Sequence, residues 1–111
     1  MVEEGTVIRL EYFDHNTSFE KAFPAQNCVI VKRYSSKDVD DWFLVKLSKP
    51  FFFHEIENTH LLIRSRWQGN QIGGKEPTSV FILLIADNSL LKEPIDIDKF
   101  YFPAWGMAYL V

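Results

Sequence analysis

A chain of 111 residues with 47% hydrophobic side chains, ten Phe, four Tyr and three Trp has apolar material for one core and too little length for two. Residues 1–111 therefore read as one folded domain, and the net charge of −3, from 12 Lys and Arg against 15 Asp and Glu, argues against a surface devoted to phosphate backbones. The lone Cys28 excludes an intrachain disulfide and a cysteine-rich zinc site, and makes a reducing, cytoplasmic compartment the expectation.

Residues 1–5, Met-Val-Glu-Glu-Gly, have neither the basic nor the apolar part of a signal peptide. The longest apolar run, residues 80–86, is far short of the roughly 20 that span a bilayer as a helix, so no membrane partner is expected.

In chain order, residues 6–13 alternate as a first strand. The pattern puts Thr6, Ile8, Leu10 and Tyr12 on a buried face and Val7, Arg9, Glu11 and Phe13 on a partly wet one. Residues 14–17 are turn material, and residues 18–23 form one short helical turn that Pro24 ends. Residues 28–34 are a β-branched second strand. The charged connection 35–41 holds a single helical turn near Ser36.

Residues 42–47 alternate, with Trp42, Leu44 and Lys46 opposite Phe43, Val45 and Leu47, until Pro50 removes a ladder donor. Phe51, Phe52 and Phe53 either resume the pairing or plug a barrel end. Residues 60–67 are a fourth strand with Leu61, Ile63, Ser65 and Trp67 on one face and His60, Leu62, Arg64 and Arg66 on the other. The glycine-rich loop 68–78 leads into residues 79–86, a strand with no wet face and so covered on both sides, antiparallel to the strand before it. Residues 90–99 interleave acids with Leu91, Ile95 and Ile97. A last strand then runs to Val111, broken at Pro103 by a bulge or bend. The fold class is thus all-β: a small barrel or sandwich of about six antiparallel strands with at most one or two short helical turns.

Chemistry is thinly marked. His54, Glu55, Glu57 and His60 have ligand-like composition but not a helical His-Glu-x-x-His spacing, and read as a polar connection. Cys28 sits in an apolar strand with no cation or helix end to activate it. Gly73-Gly74-Lys75 is a fragment of a phosphate loop without its following helix. Asp40-Asp41 and the Asp96, Asp98 pair lie in solvated connections, where nothing separates their pKa values. No catalytic set, metal or cofactor is expected.

Two binding readings remain. Surplus aromatic residues point to a non-enzymatic protein-binding or adaptor module, its partner another protein or a second copy of the chain. The anchors would be Trp42, Phe52, Phe53, Trp67, Phe102 and Trp105. The alternative is a barrel that binds single-stranded nucleic acid, with Arg64, Arg66 and Lys75 on phosphates and Trp67 as a stacking platform.

Overall fold

The computed structural model describes residues 3–14, 17–37, 40–67, 72 and 76–111, the side chains of Thr17, Phe102 and Pro103 excepted. Six strands, β1 (Val7–Asp14), β2 (Gln26–Tyr34), β3 (Trp42–Phe53), β4 (Ile56–Ser65), β5 (Thr78–Leu84) and β6 (Tyr101–Leu110), pair in sequence order, and β6 returns to β1. Every pairing is antiparallel, so the sheet is a closed barrel without a free edge. One side-chain bond, from Tyr109, also crosses the β1–β6 seam to Glu11, which Arg9 steadies within β1. Arg9 Nε donates to Glu11 Oε2 at 3.0 Å and the Tyr109 hydroxyl donates to Glu11 Oε1 at 3.1 Å.

Alternation fills the barrel from every strand: Ile8 and Leu10, Cys28 and Ile30, Val45 and Leu47, Leu61 and Ile63, Val80 and Ile82, and Ala104 and Ala108 all point inward and are buried. One end is plugged by aromatics. The six-residue helix α1 (Thr17–Ala22) carries Phe19, and the Phe23 N–H donates to the Phe19 carbonyl at 2.9 Å, so both rings lie on one helical face. Phe19 then meets Phe13, Phe23, Phe51 and Phe53 with ring centroids 5.3–5.6 Å apart.

Two local features correct the sequence pattern. Tyr12 takes a positive φ of 58°, and the β1–β6 register shifts between Glu11 and Asp14. This bulge turns Tyr12 out to 72% exposure and Phe13 into the core, the reverse of strict alternation, because one inserted residue flips every later side chain. Ser36 makes an isolated parallel bridge with Ile95, and the helical turn expected from there includes residues 38 and 39, which lie outside the described residues. A register shift between β2 and β3, after Ile30, likewise turns Tyr34 to the outer wall, where it pairs with Trp42, which faces outward by the regular alternation of β3.

The Phe51–Phe53 run does both things expected of it. It pairs with β4 across a tight turn in which His54 and Glu55 have φ of 52° and 65°, and its alternate rings plug the barrel end. Ahead of it the strand is irregular around Pro50, and the side chain of buried Gln26 completes the ladder there. Gln26 Nε2 donates to the Lys49 carbonyl at 2.9 Å, and the Lys49 N–H donates to Gln26 Oε1 at 2.7 Å.

The outer wall has its own apolar layer. Leu44, Leu62 and Leu83 face outward on β3, β4 and β5, and the β5–β6 connection folds back over them with Leu91, Ile95 and Phe100. Ile95 is held in place because its N–H donates to the Ser35 carbonyl at 2.8 Å. This roof is why β5 shows no wet face in sequence. Two 3-10 turns, Asn88–Leu90 and Ile97–Lys99, shape the connection. Among the described residues no helix is long and apolar enough to cross a membrane.

Candidate arginine and aromatic face

Beyond the roof, the outer wall carries a lateral row of large side chains, one per strand. Tyr34 pairs with Trp42, Arg64 with Phe81, Phe81 with Trp105, and Trp105 with Asp14. Trp42 adjoins Arg64 one position beyond the Phe43–Ile63 pair. Direct cross-strand partners share a face, so residues scattered over the chain become neighbours.

Aromatic rings hold both arginines of this face. The Arg64 guanidinium lies 4.9 Å from the Trp42 ring centroid and 5.3 Å from that of Phe81. Arg66 lies 3.5 Å from the Trp105 ring and 4.9 Å from Trp67. Stacking on a ring leaves the edge of the guanidinium able to donate hydrogen bonds, and it restricts rotamers before any ligand arrives.

Where the row meets the roof lies a pocket of about 410 Å³, lined by Trp42, Arg64, Phe81, Leu83, Ile97, Asp98 and Phe100. Its walls are mostly apolar, with one guanidinium and one carboxylate among them. Trp42 is buried, and its Nε1 has no hydrogen-bond partner among the described residues.

The six aromatic anchors expected from sequence do not form one surface. Trp42 and Phe53 are 1% and 6% exposed, which corrects their reading as accessible anchors: Trp42 lies between the barrel wall and its roof, and Phe53 lies in the plug. Phe52 and Trp67 are exposed but lie at opposite ends of β4, Phe52 paired with Glu57 near its start and Trp67 following its end. Trp105 is half-buried under Arg66. The Phe102 side chain and Lys75 lie outside what is described, as do His15 and most of the 68–78 loop. Ile72 in that loop is buried in the barrel core. Of the alternative set, Arg66 stacks on Trp67, while Arg64 packs on Trp42 and Phe81.

The other sequence features are placed as follows. His54 packs on Phe53 and Tyr101 at the hairpin tip, with centroids at 4.2 and 5.5 Å. His60 borders a more polar recess of about 510 Å³ with Glu57, Asn58 and Asp87. Burial first and the facing Lys46 second hold His60 below its ordinary pKa, which favours the neutral ring. Among the described residues no three His, Cys, Asp or Glu side chains are grouped to hold a metal ion. Burial pushes the Cys28 thiol up to about 12. Asp41 pairs with Arg33, and Asp96 with Lys37, each at 3.5 Å on the surface.

Sequence reasoning missed Phe81, Leu83, Phe100 and Asp98 as site residues. The available signal was the absence of a wet face in β5, which implied a covering layer and hence a boundary where that layer stops. No protein-family model, curated protein or solved structure matches this chain.

Proposed function

We propose that this barrel is a protein-binding module that docks its partner on the corner formed by Arg66, Trp67 and Trp105. The observation that carries the reading is the arginine layered against two tryptophans, with Trp67 56% exposed and Arg66 3.5 Å from the Trp105 ring. Tryptophan and arginine are the residue types that dominate binding hot spots, and a prestacked guanidinium loses little freedom on docking. Among the described residues no carboxylate pairs with Arg66, so its charge is left for a partner's acceptor. The lone buried thiol fits a reducing, cytoplasmic setting.

The stacking of Arg66 on Trp67, with Arg64 two residues before it in the chain, favours single-stranded nucleic acid as a second reading. Its magnitude ranks it below the first. Even with Arg64, Arg66 and Lys75 all on phosphates, the slope is only about −2.1 in log affinity against log salt, too little electrostatic driving force for tight binding to a chain of net charge −3.

The test is capture from cell extract on the tagged chain, with and without nuclease, using wild type, Trp67→Ala, Arg66→Gln and Phe52→Ala. The expected result is a stoichiometric protein that survives nuclease, is lost with the first two variants and is kept by the third. Sedimentation at rising concentration separates a second copy from a different partner. Capture unchanged by Trp67→Ala refutes the docking corner, and recovery of nucleic acid that takes the co-isolated proteins with it when digested moves the assignment to the second reading.

A further inference from the structure

We propose that the partner on the docking corner is a second copy of this chain, held in a twofold dimer in which Arg66 and Trp67 of each copy meet Asp98 and Ile97 of the other. The inference rests on the corner being a docking surface and names what occupies it.

Both sides of this contact lie on one outer wall of the barrel. The Arg66 N–H donates to the Ser79 carbonyl at 2.7 Å, which keeps the chain just past β4 beside β5, and the guanidinium reaches over β5 to the Trp105 ring of β6 at 3.5 Å. Trp105 pairs with Phe81, their ring centroids 6.4 Å apart, and Phe81 lines the same pocket as Ile97 and Asp98 of the roof. The wall therefore runs from a stacked cation, across aromatic rings and an apolar recess, to an acid on the 3-10 turn Ile97–Lys99.

Both ends of the wall reach solvent. Trp67 is 56% and Ile97 41% exposed, and Asp98 is exposed beside it. Among the described residues neither Arg66 nor Asp98 belongs to an ion pair, whereas the nearby Asp96 is taken by Lys37 at 3.5 Å. The turn is fixed in shape, because the Asp98 N–H donates to Asp96 Oδ1 at 3.2 Å and the Phe100 N–H donates to the Ile97 carbonyl at 3.1 Å.

Charge complementarity selects the occupant. A partner of one sign is attracted at Arg66 and repelled at Asp98, or the reverse. A twofold interface instead requires a patch that complements itself, so that one residue meets another and is met by it in return. This wall holds a cation beside an exposed tryptophan at one end and an acid beside an exposed isoleucine at the other. A single rotation thus sets Arg66 against Asp98 and Trp67 against Ile97, and does so twice. With so few anchors the interface is at the small end of specific association, which gives a dimer of micromolar affinity.

The experiment is sedimentation equilibrium of the full chain from about 1 to about 500 µM, the span over which an affinity near 10 µM is visible. It compares wild type, Asp98→Arg, Arg66→Glu, the two reversals combined, and Trp67→Ala, each checked for its fold by far-UV circular dichroism. Wild type is expected to pass from monomer to dimer within the range. Asp98→Arg and Arg66→Glu are each expected to weaken the dimer at least about tenfold, because symmetry repeats every like-charge clash. Combined, the reversals restore opposite charges across the axis, and the affinity is expected to return to within about threefold of wild type. Asp98→Arg lies on an exposed turn and decides the matter alone if Arg66→Glu, which forfeits the stack on Trp105, does not fold. A wild type that stays monomeric at about 500 µM overturns the proposal, as does Asp98→Arg with wild-type affinity, or a folded double variant no tighter than the weaker single one. If that monomeric wild type still captures a different protein through Trp67, the docking corner stands and only its second copy falls. A dimer that neither Trp67→Ala nor Arg66→Glu weakens refutes the corner together with the proposal.

Discussion

Replacing Phe51, Phe52 and Phe53 with alanine one at a time separates three adjacent, chemically identical residues by their surroundings alone. Their exposures are 4%, 65% and 6%. Phe51 packs edge-on against Phe19 at 5.6 Å and Phe23 at 4.8 Å, so truncation opens a cavity in the plug that the helix cannot collapse to fill. A buried Phe→Ala change costs about 3–5 kcal/mol. For 111 residues the unfolding entropy is about 0.23 kcal/mol/K, so a loss of about 4 kcal/mol lowers Tm by about 17 °C. Phe53→Ala is expected near the low end, about 3 kcal/mol, because its site is at the mouth of the plug beside His54 and Tyr101. Phe52 has its ring in solvent, and Phe52→Ala is expected to cost under about 1 kcal/mol, the residual strand preference of an aromatic residue. Urea denaturation of the three variants, with m held constant, is the assay. A Phe52→Ala variant as unstable as Phe51→Ala refutes the alternation and with it the plugged end of the barrel.

Gln26→Ala removes the side chain that serves both the N–H and the carbonyl of Lys49. The expected cost is about 1–3 kcal/mol for backbone groups left without partners, with hydrogen exchange at the Lys49 amide speeded more than at neighbouring β3 amides. Cys28 is expected to resist thiol reagents in the native protein and to react only as the barrel unfolds, since it is fully buried. Its pKa is raised from 9.0 to about 12 in the folded state, so between these values the unfolded chain holds fewer protons than the native one. The Cys28 contribution to stability is therefore complete below about pH 9 and is lost as pH rises through that window, and Cys28→Ala is expected to flatten the alkaline fall in stability.

The strands themselves were legible because strand periodicity is local. Ile8 and Leu10, Val45 and Leu47, and Leu61 and Ile63 announce an inward face within a few residues of each other, and all six are buried. Pro24 fixes the end of α1 by removing a donor and crowding the residue before it, which is equally local. The lack of a wet face in residues 79–86 told that β5 is covered, though not by what.

What covers it, and what the site is made of, depended on register. The Tyr12 bulge and the shifts between β2 and β3 and between β5 and β6 each move side chains by one position, and a one-residue slip exchanges the faces of a strand. Tryptophans at positions 42, 67 and 105 look equivalent in sequence, yet one is sealed beneath the outer layer, one is exposed, and one supports an arginine. The sequence by itself determined an antiparallel β domain with a phenylalanine run at a strand end and an arginine pair on one strand face. Only the tertiary structure decided that the barrel closes through β1 and β6, that residues of the β5–β6 connection roof its outer wall, and that Arg64 and Asp98 share a pocket. The reason is physical: alternation is written every two residues, whereas closure and cross-strand neighbours are set by pairings between residues as far apart as Ile8 and Leu110.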